Sequence, residues 1–126
     1  MTWATYNTSN WPNVLVHLNN QLDDQGFDKF LNDWLALYER EENFTLIFDC
    51  SDVGWVSSKY AFRMSTFVKK LKALPVQYLE KSIILYDSWY VKSLLNIIFF
   101  LETPVAPVRI IKKKNINDNY ISLLKQ

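Results

Sequence analysis

The chain has 126 residues, of which 49% are hydrophobic and 16% aromatic, with only two glycines and four prolines. These values exclude a disordered or loop-rich protein and predict one domain over residues 1–126 with its own core. No apolar run reaches the roughly 20 residues of a membrane-spanning helix. The N-terminus lacks signal-peptide features, and the single cysteine, Cys50, rules out an intramolecular disulfide. A lone thiol is typical of a reducing compartment, so we expect a cytoplasmic location.

The net charge of +1 hides an asymmetry along the chain. Residues 1–58 contain two basic and nine acidic side chains, whereas residues 59–126 contain twelve basic and four acidic ones. Two oppositely charged halves either pair within the fold or present opposite faces to partners. The clusters Lys69-Lys70-Lys72 and Lys112-Lys113-Lys114 are interpreted as solvated ends of a helix and a strand. No recognition motif accompanies them, so no nucleic-acid partner is predicted.

Strand and helix patterns alternate in the N-terminal half. Trp3 to Thr8 predicts a short edge strand, and the nearly continuous apolar run Val14–Leu18 predicts the next one. Apolar residues at helical spacing then predict a helix from Phe27 to Tyr38, opened by Asp24 or Gln25. Phe44–Phe48 predicts a strongly apolar third strand.

The alternation continues to the end of the chain. The predicted elements are an amphipathic helix from Lys59 to Leu74, a strand Ser82–Tyr86, an unusually apolar helix Trp89–Leu101, a strand Val108–Ile111 and a short terminal helix holding Tyr120, Ile121 and Leu124. The order β-β-α-β-α-β-α-β-α predicts an α/β fold. Its four- to five-stranded, mostly parallel sheet would have the helices packed on it.

The loop before the Lys59 helix is the most informative segment. It runs Asp49-Cys50-Ser51-Asp52-Val53-Gly54-Trp55-Val56-Ser57-Ser58. The two serines stand where a helix begins, so they are expected to cap its unpaired N–H groups. Open α/β sheets bind their ligands at the carboxyl edge of the strands, where this loop lies. The serines therefore serve as caps alone, or as caps that also belong to a binding or switch site.

Residues with catalytic or metal-binding chemistry are few. One His and one Cys cannot form a zinc site, and no glycine-rich phosphate loop is present. His17 is interpreted as a structural histidine and Cys50 as a small core residue. Asp49, Asp52 and Asp87, which follow predicted strands, are interpreted as caps of turns and helices. We predict no enzymatic activity, no cofactor and no metal.

Two segments resemble STAS domains, the anti-sigma-factor-antagonist family. Val14 to Asp23 resembles their opening strand, Leu-Asp loop and first helix. Asp49 to Ser58 resembles their second hallmark, Asp-x-Ser-x-Val-x-Phe-Ile-Asp-Ser. On this alignment Ser58 falls on the serine that is phosphorylated in the bacterial switch proteins, while Lys59-Tyr60-Ala61 replaces the family's Ser-Gly-Leu. The resemblance implies a STAS-like βα superhelix that binds a protein partner.

A weaker resemblance leads to the same architecture. Tyr78 to Leu85, continued by Pro104 to Ile111, is similar to the end of CRAL-TRIO (Sec14-like) lipid-binding domains. There a Tyr-Pro-Glu-Arg motif precedes a strand, an apolar helix and a final strand. This second resemblance implies a bound lipid.

The two resemblances lead to two functional expectations. The first is a non-catalytic regulatory module of STAS type that docks a protein partner or a second copy of itself. Phosphorylation at Ser57 or Ser58 would switch it, and the residues expected to form the partner-binding or switch site are Asp52, Trp55, Ser57, Ser58, Lys59 and Arg63. The alternative is a small CRAL-TRIO-like lipid- or membrane-associated module, and its lipid or oligomer surface would be formed by Leu95, Phe99 and Phe100.

Overall fold

A computed structural model describes residues 3–115 of the chain. Its strands are β1 (Ala4–Asn10), β2 (Asn13–Leu18), β3 (Phe44–Asp49), β4 (Leu79–Tyr86) and β5 (Val108–Lys112). Its helices are α1 (Asp24–Tyr38), α2 (Ser58–Lys72) and α3 (Trp89–Leu101), and a 3-10 turn, Lys113–Asn115, follows β5. The terminal helix predicted around Tyr120, Ile121 and Leu124 lies outside the described residues.

The five strands form one sheet in the order β1-β2-β3-β4-β5. β1 and β2 form an antiparallel hairpin, and β2 to β5 are parallel neighbours. Each parallel connection carries one helix and moves one strand along the sheet, as right-handed βαβ units do. The predicted α/β class with a mostly parallel sheet is therefore confirmed. The arrangement is consistent with a STAS-like βα fold.

The three helices cover one face of the sheet. Their buried side chains, including Phe27, Phe67 and Val91, join those of Val16 and Phe48 in one large core cluster. A smaller cluster, Ile47, Ile83 and Leu85, lies on the opposite face of the sheet. Strand β3 is buried along its whole length, which explains why its sequence is apolar without alternation.

Aromatic rings fill the space between α1 and the sheet. Trp34 contacts both Phe48 and Phe67 with ring centroids 5.2 Å apart, and Phe30 lies edge-on to Trp3 at 5.1 Å. Such tilted and edge-to-face contacts add to the free energy gained by burying large rings. The aromatic residues at helical spacing in α1 are therefore a core stripe, as the sequence predicted.

Short polar side chains begin all three helices. Asp23 accepts a hydrogen bond from the backbone N–H of Gly26 at 2.7 Å, and Ser88 accepts one from Tyr90 at 3.1 Å. At α2 the cap is Ser57, which accepts from the N–H of Lys59 at 3.4 Å, so Ser58 is the first helical residue. The two serines predicted as caps thus have different positions in the helix.

Ion pairs join the acidic and basic halves of the chain. Lys59 and Arg63 of α2 pair with Asp24 of α1, and Lys113 pairs with Asp49. The oppositely charged halves of the chain therefore pair in part within the fold, as the first of the two alternatives from the sequence proposed. Over residues 3–115, no helix has the length and apolar character needed to cross a bilayer.

Candidate functional site at the carboxyl edge of the sheet

The loop between β3 and α2 is held by its valines and exposes its tryptophan. Val53 and Val56 are buried in the main core, whereas the side chain of Trp55 is 76% exposed. Gly54 lies between them, and a Cβ atom at this position would meet only the Asn20 side chain, at 3.6 Å. The two anchors fix the backbone on either side of Trp55, so the exposed indole is presented from a held loop.

Asp49 supports the start of this loop. Its carboxylate accepts hydrogen bonds from the backbone N–H of Ser51 at 3.1 Å, from the Ser51 hydroxyl at 2.6 Å and from the Lys113 ammonium at 2.8 Å. Burial acts to raise the pKa of Asp49, but the hydrogen bonds from Lys113 and Ser51 outweigh it and hold the pKa below its ordinary value. The predicted turn cap is present, and it is also an ion pair across the sheet.

Asp52 is paired with the only histidine. The His17 Nε2 atom lies 2.7 Å from Asp52 Oδ2, and both side chains are exposed. The contact joins the end of β2 to the loop after β3. His17 therefore has a hydrogen-bond partner in Asp52, which is one of the expected partner-binding residues.

The two serines differ in accessibility. Ser57 is half-buried as the N-cap, and Ser58 is exposed at the first position of α2. The positive end of the helix dipole favours a negative group at that position. Of the two hydroxyls, that of Ser58 is therefore the more accessible to a modifying enzyme.

Lys59 and Arg63 belong to a network between α1 and α2. The Lys59 ammonium lies 3.2 Å from Asp24, the Tyr60 hydroxyl donates to Asp24 at 2.9 Å, and Arg63 pairs with Asp28. The hydrogen bond from Tyr60, together with Lys59, lowers the pKa of Asp24, and the same carboxylate raises the pKa of Lys59. The two cations predicted to face a partner are thus already paired in the free chain.

A second exposed tryptophan stands at the same edge and was not predicted. Trp89 opens α3, directly after β4, and its side chain is 77% exposed. The Tyr90 hydroxyl donates a hydrogen bond to the carbonyl oxygen of Val56, which ties the start of α3 to the loop that carries Trp55. One sequence feature could have located this residue. Trp89 directly follows Asp87-Ser88, the predicted helix cap after β4.

The three residues of the predicted lipid or oligomer surface are divided between two environments. Leu95 and Phe99 are half-buried and pack against the main core, whereas Phe100 is 89% exposed. Ile97 and Leu101 are also exposed, and Val91 is the one buried residue of α3. Much of the apolar surface of α3 therefore faces solvent over the described part of the chain.

The site contains little reactive chemistry. Burial, followed by the nearby charge of Asp49, raises the pKa of the Cys50 thiol to about 12, so the reactive thiolate is strongly disfavoured. Within residues 3–115, no three His, Cys, Asp or Glu side chains are grouped as a metal site would require. Over the same residues, the exposed groups of this edge include the indoles of Trp55 and Trp89 and the side chain of Ser58.

Comparisons of the chain with known protein families, with curated proteins and with solved structures find no match. The likeness to STAS and CRAL-TRIO domains therefore stays a resemblance of sequence motifs, and the fold class depends on the structure alone.

Proposed function

We propose that this chain is a non-catalytic protein-interaction module of STAS type. Its partner would dock at the carboxyl edge of the sheet, on the loop Asp52–Ser57 and the first turn of α2, with Ser58 as the switch. One observation carries the proposal: Trp55 is exposed on a loop that its flanking residues hold in place, next to an exposed serine hydroxyl.

Tryptophan is the side chain that most often contributes a large share of the binding free energy at protein interfaces. A large apolar side chain exposed on a held loop loses little conformational entropy when a partner covers it. Trp89 at the start of α3 would extend the same surface, because the Tyr90 hydrogen bond links the two segments. Two indoles on one edge favour a protein partner over a small polar ligand.

Phosphorylation of Ser58 would change the charges of this surface. A phosphate adds about −1.5 to −2 charges and three acceptor oxygens. It would offer Lys59 an acceptor that competes with Asp24, while repelling the carboxylate of Asp24. Phosphorylation would therefore rearrange the network between α1 and α2 in addition to adding charge beside Trp55.

Affinity capture with the purified chain tests the proposal. Trp55→Ala should reduce recovery of the specific partner by more than tenfold, since truncating a central interface tryptophan costs about 2 kcal/mol or more. Ser58→Asp should change recovery without changing the unfolding midpoint, and Ser58→Ala should not. Phe100→Ala is the comparison variant, because it removes an exposed ring from the far end of α3, where the alternative interface lies. Val76→Ala, at an exposed position away from both surfaces, is the control that should leave recovery unchanged.

Equal recovery by wild type and Trp55→Ala, with loss in Phe100→Ala, would move the interface to the exposed face of α3. Equal recovery by Ser58→Ala and Ser58→Asp would leave Ser58 without a switching role.

The second candidate function is a lipid- or membrane-associated module, as the CRAL-TRIO resemblance implies. The exposure of Ile97, Phe100 and Leu101 on one helix favours it. Exposed Lys69 and Lys70 lie in the last turn of α2. Lys72 ties that end of α2 to Glu102, just after α3, through an ion pair of 2.8 Å. Apolar side chains near lysines are the pattern by which proteins bind anionic bilayers.

A further inference from the structure

A cavity of about 150 Å³ lies between the helices and the sheet. The α2 side of its wall includes Ala61 and Met64, the α3 side includes Leu95 and Ile98, and Ile84 of β4 contributes to its floor. Protein interiors seldom contain voids larger than a water molecule, since each void forfeits packing contacts. This cavity is partly open to solvent, so an apolar occupant would both fill unused space and remove apolar lining from water.

The lining of the cavity is neutral. None of the residues that line it is Asp, Glu, Lys, Arg or His. The Trp3 N–H donates to the carbonyl oxygen of Asn19, and the Tyr60 hydroxyl donates to Asp24, so these two polar groups are engaged elsewhere. Trp34 also lines the cavity, and its buried indole N–H finds no hydrogen-bond partner in the described part of the chain. Ser82 contributes a buried hydroxyl, and the pKa of Cys50 keeps its thiol protonated. A lining of this kind disfavours carboxylates, phosphates and ammonium groups, because none would find a charged partner.

The α3 side of the wall is the loosest part of the core. Val91 is the one buried residue of this helix, and its other lining residues, Leu94, Leu95, Ile98 and Phe99, are only half-buried. A ligand that contacts this wall would therefore gain apolar contacts that α3 does not find in the free chain.

We propose that this cavity binds a compact, neutral, mostly apolar molecule of the size of one aromatic ring or an indole. A protein cavity of about 150 Å³ lined by Leu, Ile and Phe stays dry and takes up benzene, which sets the scale. A twelve-carbon acyl chain has roughly twice the heavy atoms of a single ring, so it exceeds the size that this comparison sets. Val53 and Val56 of the docking loop also line this cavity, but ligand binding here does not depend on the partner-binding function proposed above.

The chain's methionines offer a direct test. Met64 lines the cavity, and Met1 is the one other methionine. Protein labelled with ¹³C at the methionine methyl groups should give two signals, which a Met64→Leu variant assigns. Titration with indole and with toluene should move the Met64 signal along a saturable 1:1 curve, because an aromatic ring next to the methyl group changes its local magnetic field.

Filling the cavity should remove the effect. Ala61→Leu places a larger side chain into the space, and we expect it to weaken indole binding at least tenfold. Ala106→Leu fills the cavity from the loop before β5, and it replaces Ala61→Leu in the test if that variant does not fold. Ala36→Leu is the matched control, since Ala36 is an exposed position of α1 and its variant should bind as wild type does.

Three results would overturn the proposal. One is a Met64 signal that neither indole nor toluene moves. The second is an equal response in wild type and both filled variants, which would place the ligand outside the cavity. The third is saturable binding of laurate that Ala61→Leu abolishes, which would make the site that of a long-chain lipid.

Discussion

Asp49 shows how one residue links the sheet to the candidate site. It ends β3, holds the following loop through Ser51 and pairs with Lys113 from beyond β5. Its pKa lies below the ordinary value of 3.8, despite the opposing effect of burial. A carboxyl group whose folded-state pKa is depressed stabilises the fold above its unfolded-state pKa. That stabilisation is lost as the pH falls through the folded-state value.

Asp49→Asn should therefore lower stability at neutral pH and have little effect in acid. We expect a loss of about 1.5–3 kcal/mol at pH 7, because the substitution breaks a charge-assisted hydrogen bond in a largely buried position. The difference from wild type should shrink as the pH falls through and below about 3.8. Urea unfolding at several pH values measures it.

Asp52→Asn is the control for Asp49→Asn. It removes an exposed carboxylate from the same edge, and exposed pairs contribute only about 0–1 kcal/mol. Equal, pH-independent losses in the two variants would mean that the Asp49–Lys113 pair contributes no ionic stabilisation.

The two serines at the start of α2 should differ in what they contribute to stability. Ser57→Ala should cost about 0.5–1 kcal/mol, since Ser57 is the N-cap and its hydrogen bond to Lys59 is long. Ser58→Ala should change stability by a few tenths of a kcal/mol at most, because alanine is a favourable residue at an exposed helical position. Denaturation midpoints of the two variants show which substitution lowers stability more. A larger loss of stability in Ser58→Ala would mean that Ser58, and not Ser57, is the N-cap.

Contacts between residues close in the chain were predictable, and those between distant residues were not. The caps at Ser57 and Ser88 lie within two residues of their N–H donors, so the local sequence fixes them. The pair between Asp49 and Lys113 joins positions 64 residues apart. It depends on the register of three parallel strands, which no local pattern specifies. The hydrogen bond from the Tyr90 hydroxyl to the Val56 carbonyl oxygen, which brings the start of α3 to the site, also depends on how distant segments are placed by the sheet.

The strong strands and helices were predictable because each has one clear apolar pattern. α1 carries a stripe of large apolar residues, and β3 is mostly apolar, without alternation, because it is buried on both faces. α3 shows where this reasoning fails. Its sequence is apolar around most of the helix, which predicts burial, yet the sheet covers only one side of it. Composition alone does not distinguish a core helix from one with an exposed apolar face.

The two faces of the sheet should both contribute to stability. Ile84 points into the core beneath the helices, and Ile47 belongs to the cluster on the opposite face. Ile84→Ala and Ile47→Ala should each cost about 2–5 kcal/mol through lost apolar contacts and the cavity that remains. Val76→Ala, at an exposed position, should cost less than about 0.5 kcal/mol. An Ile47→Ala midpoint equal to that of wild type would show that the second cluster is not a core.

For the whole molecule, the open question is what covers the apolar surface that the fold leaves exposed. Trp55 and Trp89 lie at the carboxyl edge of the sheet, whereas Phe100 lies near the other end of α3. Phe100 lies eleven positions after Trp89 in the helix, a distance of about 16 Å along the axis. One protein partner of ordinary size can cover both regions, and two different partners can cover one each.

Phe100→Glu tests the far region. Phe100 is 89% exposed, so the monomer should stay folded with a change in stability below about 0.5 kcal/mol. If a second copy of the chain covers α3, a charge at this position should weaken the dimer by more than tenfold in sedimentation equilibrium, because the carboxylate would have to be desolvated. Asn96→Glu is the matched control, since it adds the same charge to an exposed position of α3 without removing a ring.

The result also decides between the two candidate functions. We expect wild type to self-associate or to require a protein partner at this face, with Asn96→Glu less affected than Phe100→Glu. A monomeric wild type that co-sediments with anionic liposomes, and loses this on Phe100→Glu but not on Asn96→Glu, would instead assign α3 to a membrane surface. In that case the lysines in the last turn of α2 should make liposome binding decrease as salt concentration rises, whereas an apolar protein interface should be nearly insensitive to salt.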